Sequence, residues 1–378
     1  MRQAVFVFAL GALLTNLAGC IYRQHLQAAS VLARITADGG APSPDWFLGP
    51  VRERDLLLEL SGQQVAARLY LPAAADEAPE GGLLLLHGVH PQGIHEPRFV
   101  AFGRALAAAG IAVLTPSLPE LATYRIEVGT IGRIASLARW HAAFLGRRRV
   151  GAIGISFAGG LALMAAAREG RRTAIGYVVA VGAHHDLARL GRYYAGADVF
   201  GPEGQRCPGQ PHPYGIRILA HAHAEHFFEP QDVPAARRAL RLFLDGDSDA
   251  AHHLAAAMGA EGRARMEDLL HRYRYRRLEQ PLLAAIGNSR AQLAEASPKG
   301  QLAGLSVPVY LVHGLDDPVI PSIETRWLAQ ELAGRVPLKT LITPMLRHTE
   351  HAVQATEQDR VQLVHLMAQI LQRAQQTP

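Results

Sequence analysis

Residues 150–160 read Val-Gly-Ala-Ile-Gly-Ile-Ser-Phe-Ala-Gly-Gly. The apolar run Val150 to Ile155 has the character of a strand, and Leu161 to Arg168 that of a helix. A strand that turns into a helix through small residues holds a serine hydroxyl clear of the backbone, where it can attack an acyl carbon. Gly154 and Gly159 supply the missing bulk where strand and helix approach, and Ala158 is small enough to keep that approach. A serine nucleophile needs a base, an acid to orient the base, and donors for the developing oxyanion. Candidates for each follow strand-like runs. After Leu83 to Leu86 comes His87-Gly88-Val89-His90, where Gly88 lets the chain turn so that the Val89 amide faces the oxyanion; the Phe157 amide, next to Ser156, is the second donor. After Val307 to Val312 comes a turn with two carboxylates, Asp316 and Asp317. After Leu338 to Pro344 come two histidines, His348 and His351. His348 lies nearer the strand end and is the preferred base. The plain alternatives are a tight strand–helix junction at Ser156, aspartates that cap the helix beginning near Ser322, and surface histidines in a chain that has 18 of them.

These motifs together resemble the α/β-hydrolase superfamily from about Leu56 to Gln376, with serine, carboxylate and histidine in that superfamily's chain order. The stretch His313-Gly-Leu-Asp-Asp-Pro-Val-Ile-Pro321 is similar to its acid turn and selects Asp317 over Asp316. Some members place the acid after the sixth strand, which keeps Asp186 as an alternative. The stretches His87 to Ile94 and Gly182-Ala-His-His-Asp-Leu187 further resemble a group of uncharacterised bacterial hydrolases. The resemblance implies a mostly parallel sheet flanked by helices, a Ser156–His348–Asp317 triad, and chemistry that needs no cofactor and no metal. The activity expected first is hydrolysis of a carboxylic ester, small or lipid-like, through an acyl-enzyme. Amide, peptide and thioester hydrolysis use the same triad. The alternative of another class is a non-catalytic envelope protein with a binding or assembly role.

The first residues pair a short basic start with an apolar run, Ala4 to Leu14, and end in Leu17-Ala-Gly-Cys20. The run is too short for a membrane-spanning helix, which needs roughly 20 apolar residues. It has the character of a secretory signal, and its ending resembles the bacterial lipoprotein box, with residues 1–19 removed and Cys20 lipidated. Expected placement is the bacterial cell envelope, lipid-anchored and periplasm-facing. Ile21 after the cysteine, in place of aspartate, favours the outer membrane. The only other cysteine is Cys207, so no disulfide framework is expected and apolar burial must hold the core. A hydrophobic share of 49% over 378 residues is ample for that. The net charge of +5 is spread over the chain, with short clusters at Arg147–Arg149 and Arg272–Arg277 and no nucleic-acid module; a basic face toward anionic lipid head groups is the milder reading.

These residues need elements to position them. Residues 21–50 look like a linker and lead-in. A hairpin is expected at 55–60 and 64–71, turning at Ser61-Gly62, followed by alternating strands and helices up to about residue 187. That alternation means a parallel sheet with ligands at the carboxyl ends of its strands. Two βα units would span only part of the 161 positions from Ser156 to Asp317. The surplus, residues 188–303, is expected to form a helical cap, with helices near 233–244, 250–257 and 260–275. In it, His221-Ala-His223-Ala-Glu225-His226 is expected on a helix surface, because its spacings of two and three do not place three imidazoles on one helical face, and the His252-His253 pair is likewise expected on a helix surface.

Overall fold

The computed structural model describes residues 23–35, 47–60, 62–73, 79, 81–271, 278–346 and 355–377. Helix α1 spans residues 23–35. Strands β1 (Val51–Leu60) and β2 (Gln63–Pro72) pair antiparallel, from Val51↔Pro72 to Leu60↔Gln63. Next come β3 (Gly81–Leu86), α2 (Pro97–Ala108), β4 (Ile111–Pro116), the single turn α3 (Pro119–Ala122) and α4 (Gly129–Phe144). Then follow β5 (Val150–Ile155), α5 (Phe157–Glu169) and β6 (Ile175–Val181).

Between β6 and the next sheet strand lies an insertion. It holds α6 (Leu187–Tyr194), a small hairpin of β7 (Val199–Phe200) and β8 (Arg206–Cys207), α7 (Pro213–Ala222), α8 (Val233–Leu244) and α9 (Ser248–Ala256). It continues with α10 (Ala260–Leu270), α11 (Glu279–Asn288) and α12 (Arg290–Glu295). The chain then returns through β9 (Val309–Gly314), α13 (Ile323–Leu332), β10 (Leu338–Thr343) and α14 (Glu357–Gln376).

The eight-stranded sheet has the order β1-β2-β4-β3-β5-β6-β9-β10. From β4 to β10 all neighbours are parallel; β2 meets β4 antiparallel. Both faces are covered, which is why β3, β4 and β5 read as unbroken apolar runs instead of alternating ones. In β3, Leu84 and Leu86 face the core shared with α4, α5, α13 and the insertion, while Leu83 and Leu85 face the core shared with α1, α2 and α14. This is the α/β-hydrolase fold that the sequence resembles.

The stretch expected to be a linker carries α1. Ala28, Val31, Leu32 and Ile35 recur at the spacing of one helical face, and Ala28 and Val31 are fully buried against the sheet-and-α14 core. The Pro/Gly-rich stretch 201–215, for which no element was expected, holds β8 and the start of α7, which α7 opens with Pro213 at its first turn.

Candidate active site

Ser156 links β5 to α5 with φ 57° and ψ −130°. A non-glycine residue there carries about 1–3 kcal/mol of strain and persists only where its surroundings dictate it. The surroundings do so here. The Ser156 N–H donates to the Val181 carbonyl (2.7 Å), and the Gly159 N–H donates to the Ser156 carbonyl (3.0 Å). A Cβ on Gly154 would stand 2.5 Å from the Ala158 oxygen, and one on Gly159 would stand 2.9 Å from both the Gly154 oxygen and the Ala183 side chain. The close approach is therefore made at Gly159, which explains why Ala158 is tolerated where the usual pattern has its second glycine. The Phe157 amide is the first of α5, a thirteen-residue helix whose N-terminus favours negative charge.

The end of β3 passes directly against this turn. A Cβ on Gly88 would lie 3.1 Å from the Ser156 Cβ and 3.3 Å from the Ile155 oxygen. Val89 follows, buried. Two side chains fix this segment. The Leu118 N–H donates to His87 Nε2 (3.0 Å), so Nδ1 carries the proton and donates to the Gly88 carbonyl (2.7 Å). Burial lowers the His87 imidazole to about 4, which keeps it neutral in this role. From the insertion, the Tyr214 hydroxyl donates to the Val89 carbonyl (2.8 Å).

Asp317 is buried and Asp316 is exposed. Asp317 Oδ1 accepts from the Val319 and Ile320 amides (2.8 and 3.0 Å), and Oδ2 lies 3.5 Å from His313 Nε2. His313 is itself buried, between Thr325 Oγ1 (2.6 Å) and the Ile320 carbonyl (2.8 Å), and braces the turn from behind. The backbone around Gly314 packs against Leu346: a Cβ there would meet the Leu346 oxygen at 2.4 Å. Ser156, Val89, Phe157, Asp317, Met345 and Leu346 line one cavity of about 670 Å³. Its size falls within the range of pockets that hold small molecules, about 300–1,000 Å³. His348, His351 and Cys20 lie outside the described residues.

Asp186 lies elsewhere. It caps α6, accepting from the Ala188 and Arg189 amides (2.9 and 3.2 Å), and bonds Lys299 Nζ (2.8 Å). Burial alone would raise its pKa, but Lys299, the Arg189 amide and the Arg189 charge together hold it below the usual value. It lines a second cavity with His185, Arg189 and Glu331, separate from that of Ser156. Buried Glu324 on α13 ties this corner down: it accepts from the His185 and Asp186 amides (2.7 and 2.9 Å) and from Arg189 Nε and Nη2 (2.7 and 3.0 Å). The stretch Gly182 to Leu187 is thus a clamp between β6 and α13.

In the insertion, His221 faces the Tyr124 ring, with centroids 5.9 Å apart. His223, Glu225 and His226 sit where α7 gives way to a short 3₁₀ turn, so their ligand atoms come within 4.8 Å of one another. The expectation of separate surface histidines assumed a continuous helix. His223 Nδ1 meets Ser289 Oγ (2.9 Å), and Glu225 pairs with Arg237. Sequence reasoning missed His87, His313, Tyr214 and Glu324. Only His87 and His313 had a signal: each opens a His-Gly pair at the close of an apolar run, His87 directly after β3 and His313 one residue before the end of β9.

No family model matches the chain, and no curated protein matches it. Among solved structures it is similar to a brefeldin A esterase described as a bacterial homologue of human hormone-sensitive lipase. That match has 15% identity over 93% of this chain and 87% of that one, with a TM-score of 0.47. It is also similar to a Pyrobaculum calidifontis esterase (15% identity, 94% and 93% covered, TM-score 0.45). A third is a Pyrococcus horikoshii acylaminoacyl peptidase (13% identity, 86% and 42% covered, TM-score 0.49). Likeness at this level says nothing of substrate; the fold stands on the sheet order and connections described above.

Proposed function

We propose that the protein is a serine hydrolase of carboxylic esters. The observation that carries this reading is the strained Ser156, held beside the Gly88–Val89 turn in a cavity it shares with buried Asp317. Ser156 Oγ attacks the acyl carbon and gives its proton to His348, which follows the cavity-lining Leu346 by two residues in sequence. Asp317 orients the imidazole and stabilises its charged form. The Val89 and Phe157 amides hold the oxyanion. His348 then returns the proton to the leaving alcohol, and water clears the acyl-enzyme through the same base. An amide or thioester could enter the same machinery, and exchanging the single leaving-group oxygen for nitrogen or sulfur separates the three. The test is hydrolysis of p-nitrophenyl butyrate, its amide and its thioester by wild type and Ser156→Ala. Ester turnover lost in the variant supports the reading; turnover retained in folded Ser156→Ala overturns it. A lipid anchor at Cys20 in the bacterial envelope belongs to the same proposal, and a substrate drawn from a membrane would fit it.

A further inference from the structure

The Ser156 cavity continues away from the insertion, down between the sheet and helices α1 and α14. Its floor is Ile153 on β5, Val179 on β6 and Val312 on β9. Its far wall is Leu366, Met367 and Ile370 of α14, with Leu32 and Ile35 of α1 alongside. Phe99 and Phe102 of α2 close one flank. Ile155 and Ile153 share a strand face by the two-residue period, so the slot begins at the residue before the nucleophile and runs roughly 10 Å down β5 from Ser156. This lower part is apolar throughout. The polar lining also includes His90 and Glu96 from the segment between β3 and α2, Arg98 from the first turn of α2, and Arg360 from the first turn of α14.

Protein interiors close up around voids, and an apolar space larger than a few water molecules is not a default of packing. Here it is continuous with the strained Ser156 and walled on the α1 and α14 side by apolar side chains. We propose that this slot receives the acyl chain of the substrate, making the protein selective for medium- to long-chain acyl esters, with α1 and α14 as the chain-binding wall. The inference rests on Ser156 as nucleophile. With the carbonyl at Ser156, the tail enters alongside Ile155 and passes beneath α14, while the alcohol portion stays on the insertion side near Tyr214. Each methylene removed from water is worth about a fourfold gain in kcat/KM until the slot is full.

The experiment compares p-nitrophenyl acetate, butyrate, octanoate and dodecanoate as substrates of wild type, Met367→Trp and Leu32→Trp. Leu32 is only half-buried, so its variant remains informative if Met367→Trp fails to fold. The expected result is a rise in kcat/KM with chain length in wild type, and a fall of tenfold or more in the octanoate-to-acetate ratio in the variants. A flat profile in wild type, or an unchanged ratio in both folded variants, overturns the proposal. Binding of a dansyl-labelled undecanoate to Ser156→Ala protein gives a readout without turnover. Displacement by dodecanoate, weakened by Leu32→Trp, supports the slot even if no ester is hydrolysed, in which case the esterase reading alone has failed. No binding by Ser156→Ala overturns the slot.

Discussion

Ser156 occupies a backbone region that its own side chain disfavours, and the atoms that force it there are those of Gly154, Gly159 and Val181. A methyl group at position 154 collides with the backbone of Ala158, so Gly154→Ala should destabilise the fold by about 1–3 kcal/mol and lower activity beyond that loss. Denaturant unfolding paired with ester turnover would check it; unchanged stability would show that the turn is not held by this contact. At the base, His348→Ala should abolish ester hydrolysis while His351→Ala retains most of it, as read by kcat on a butyrate ester, and the reverse pattern would move the base to His351. As candidates, Ser156, Gly88 and Asp317 stood out in sequence because each combines a reactive or small residue type with the end of an apolar run, and Val89 only because it follows Gly88. Glu324, Tyr214 and the bracing role of His87 were not legible. Their meaning comes from partners 138, 125 and 31 positions away, and nothing local marks such pairings.

Among the elements, the insertion matters for what it touches. Besides the Tyr214 bond to Val89, the His212 N–H donates to the Pro318 carbonyl (2.8 Å), so the lead-in to α7 grips both the proposed oxyanion turn and the proposed acid turn. Tyr214→Phe should lower kcat by about 2- to 10-fold with little change in thermal midpoint, the loss expected for one hydrogen bond that positions an amide. An unaltered kcat would mean Val89 is held without it. The α13 clamp differs, because Arg189 and Glu324 are both buried. Glu324→Ala removes the bidentate partner and leaves the guanidinium only His185 Nδ1 (3.1 Å), the Trp327 ring and the more distant Asp186 (3.9 Å), which should cost about 3 kcal/mol in equilibrium unfolding. A loss near zero would indicate that Arg189 finds another partner. Strand β5 matched its apolar run residue for residue, since a central parallel strand is apolar on both faces. Helix α1 shows the converse: its heptad-like spacing was present in the sequence but lay in a stretch taken for a linker. The hairpin β7–β8 has two-residue strands, too short for any period to register.

The described residues pack into two apolar cores, and several histidines are buried in the same structure. Burial lowers His87, His141 and His184 to about 4 each, against 6.5 in the unfolded chain. The unfolded chain therefore binds more protons between those values. The stability these residues contribute is full above pH 6.5 and is lost as pH falls toward 4, about 3 kcal/mol for each. Thermal unfolding should show a midpoint that falls steadily from pH 7 to pH 4.5; a flat profile would contradict the burial of neutral imidazoles. The proposed envelope attachment has its own test. Cys20→Ser should leave the precursor unprocessed or release the protein from membranes, whereas unchanged processing and attachment would remove the lipid anchor from the account. The central claim, that Ser156 is an activated nucleophile, is tested most directly by a fluorophosphonate probe. The account predicts covalent labelling of wild type at Ser156 and none of Ser156→Ala. Folded wild type that takes no label, or that takes it at another residue, would contradict it.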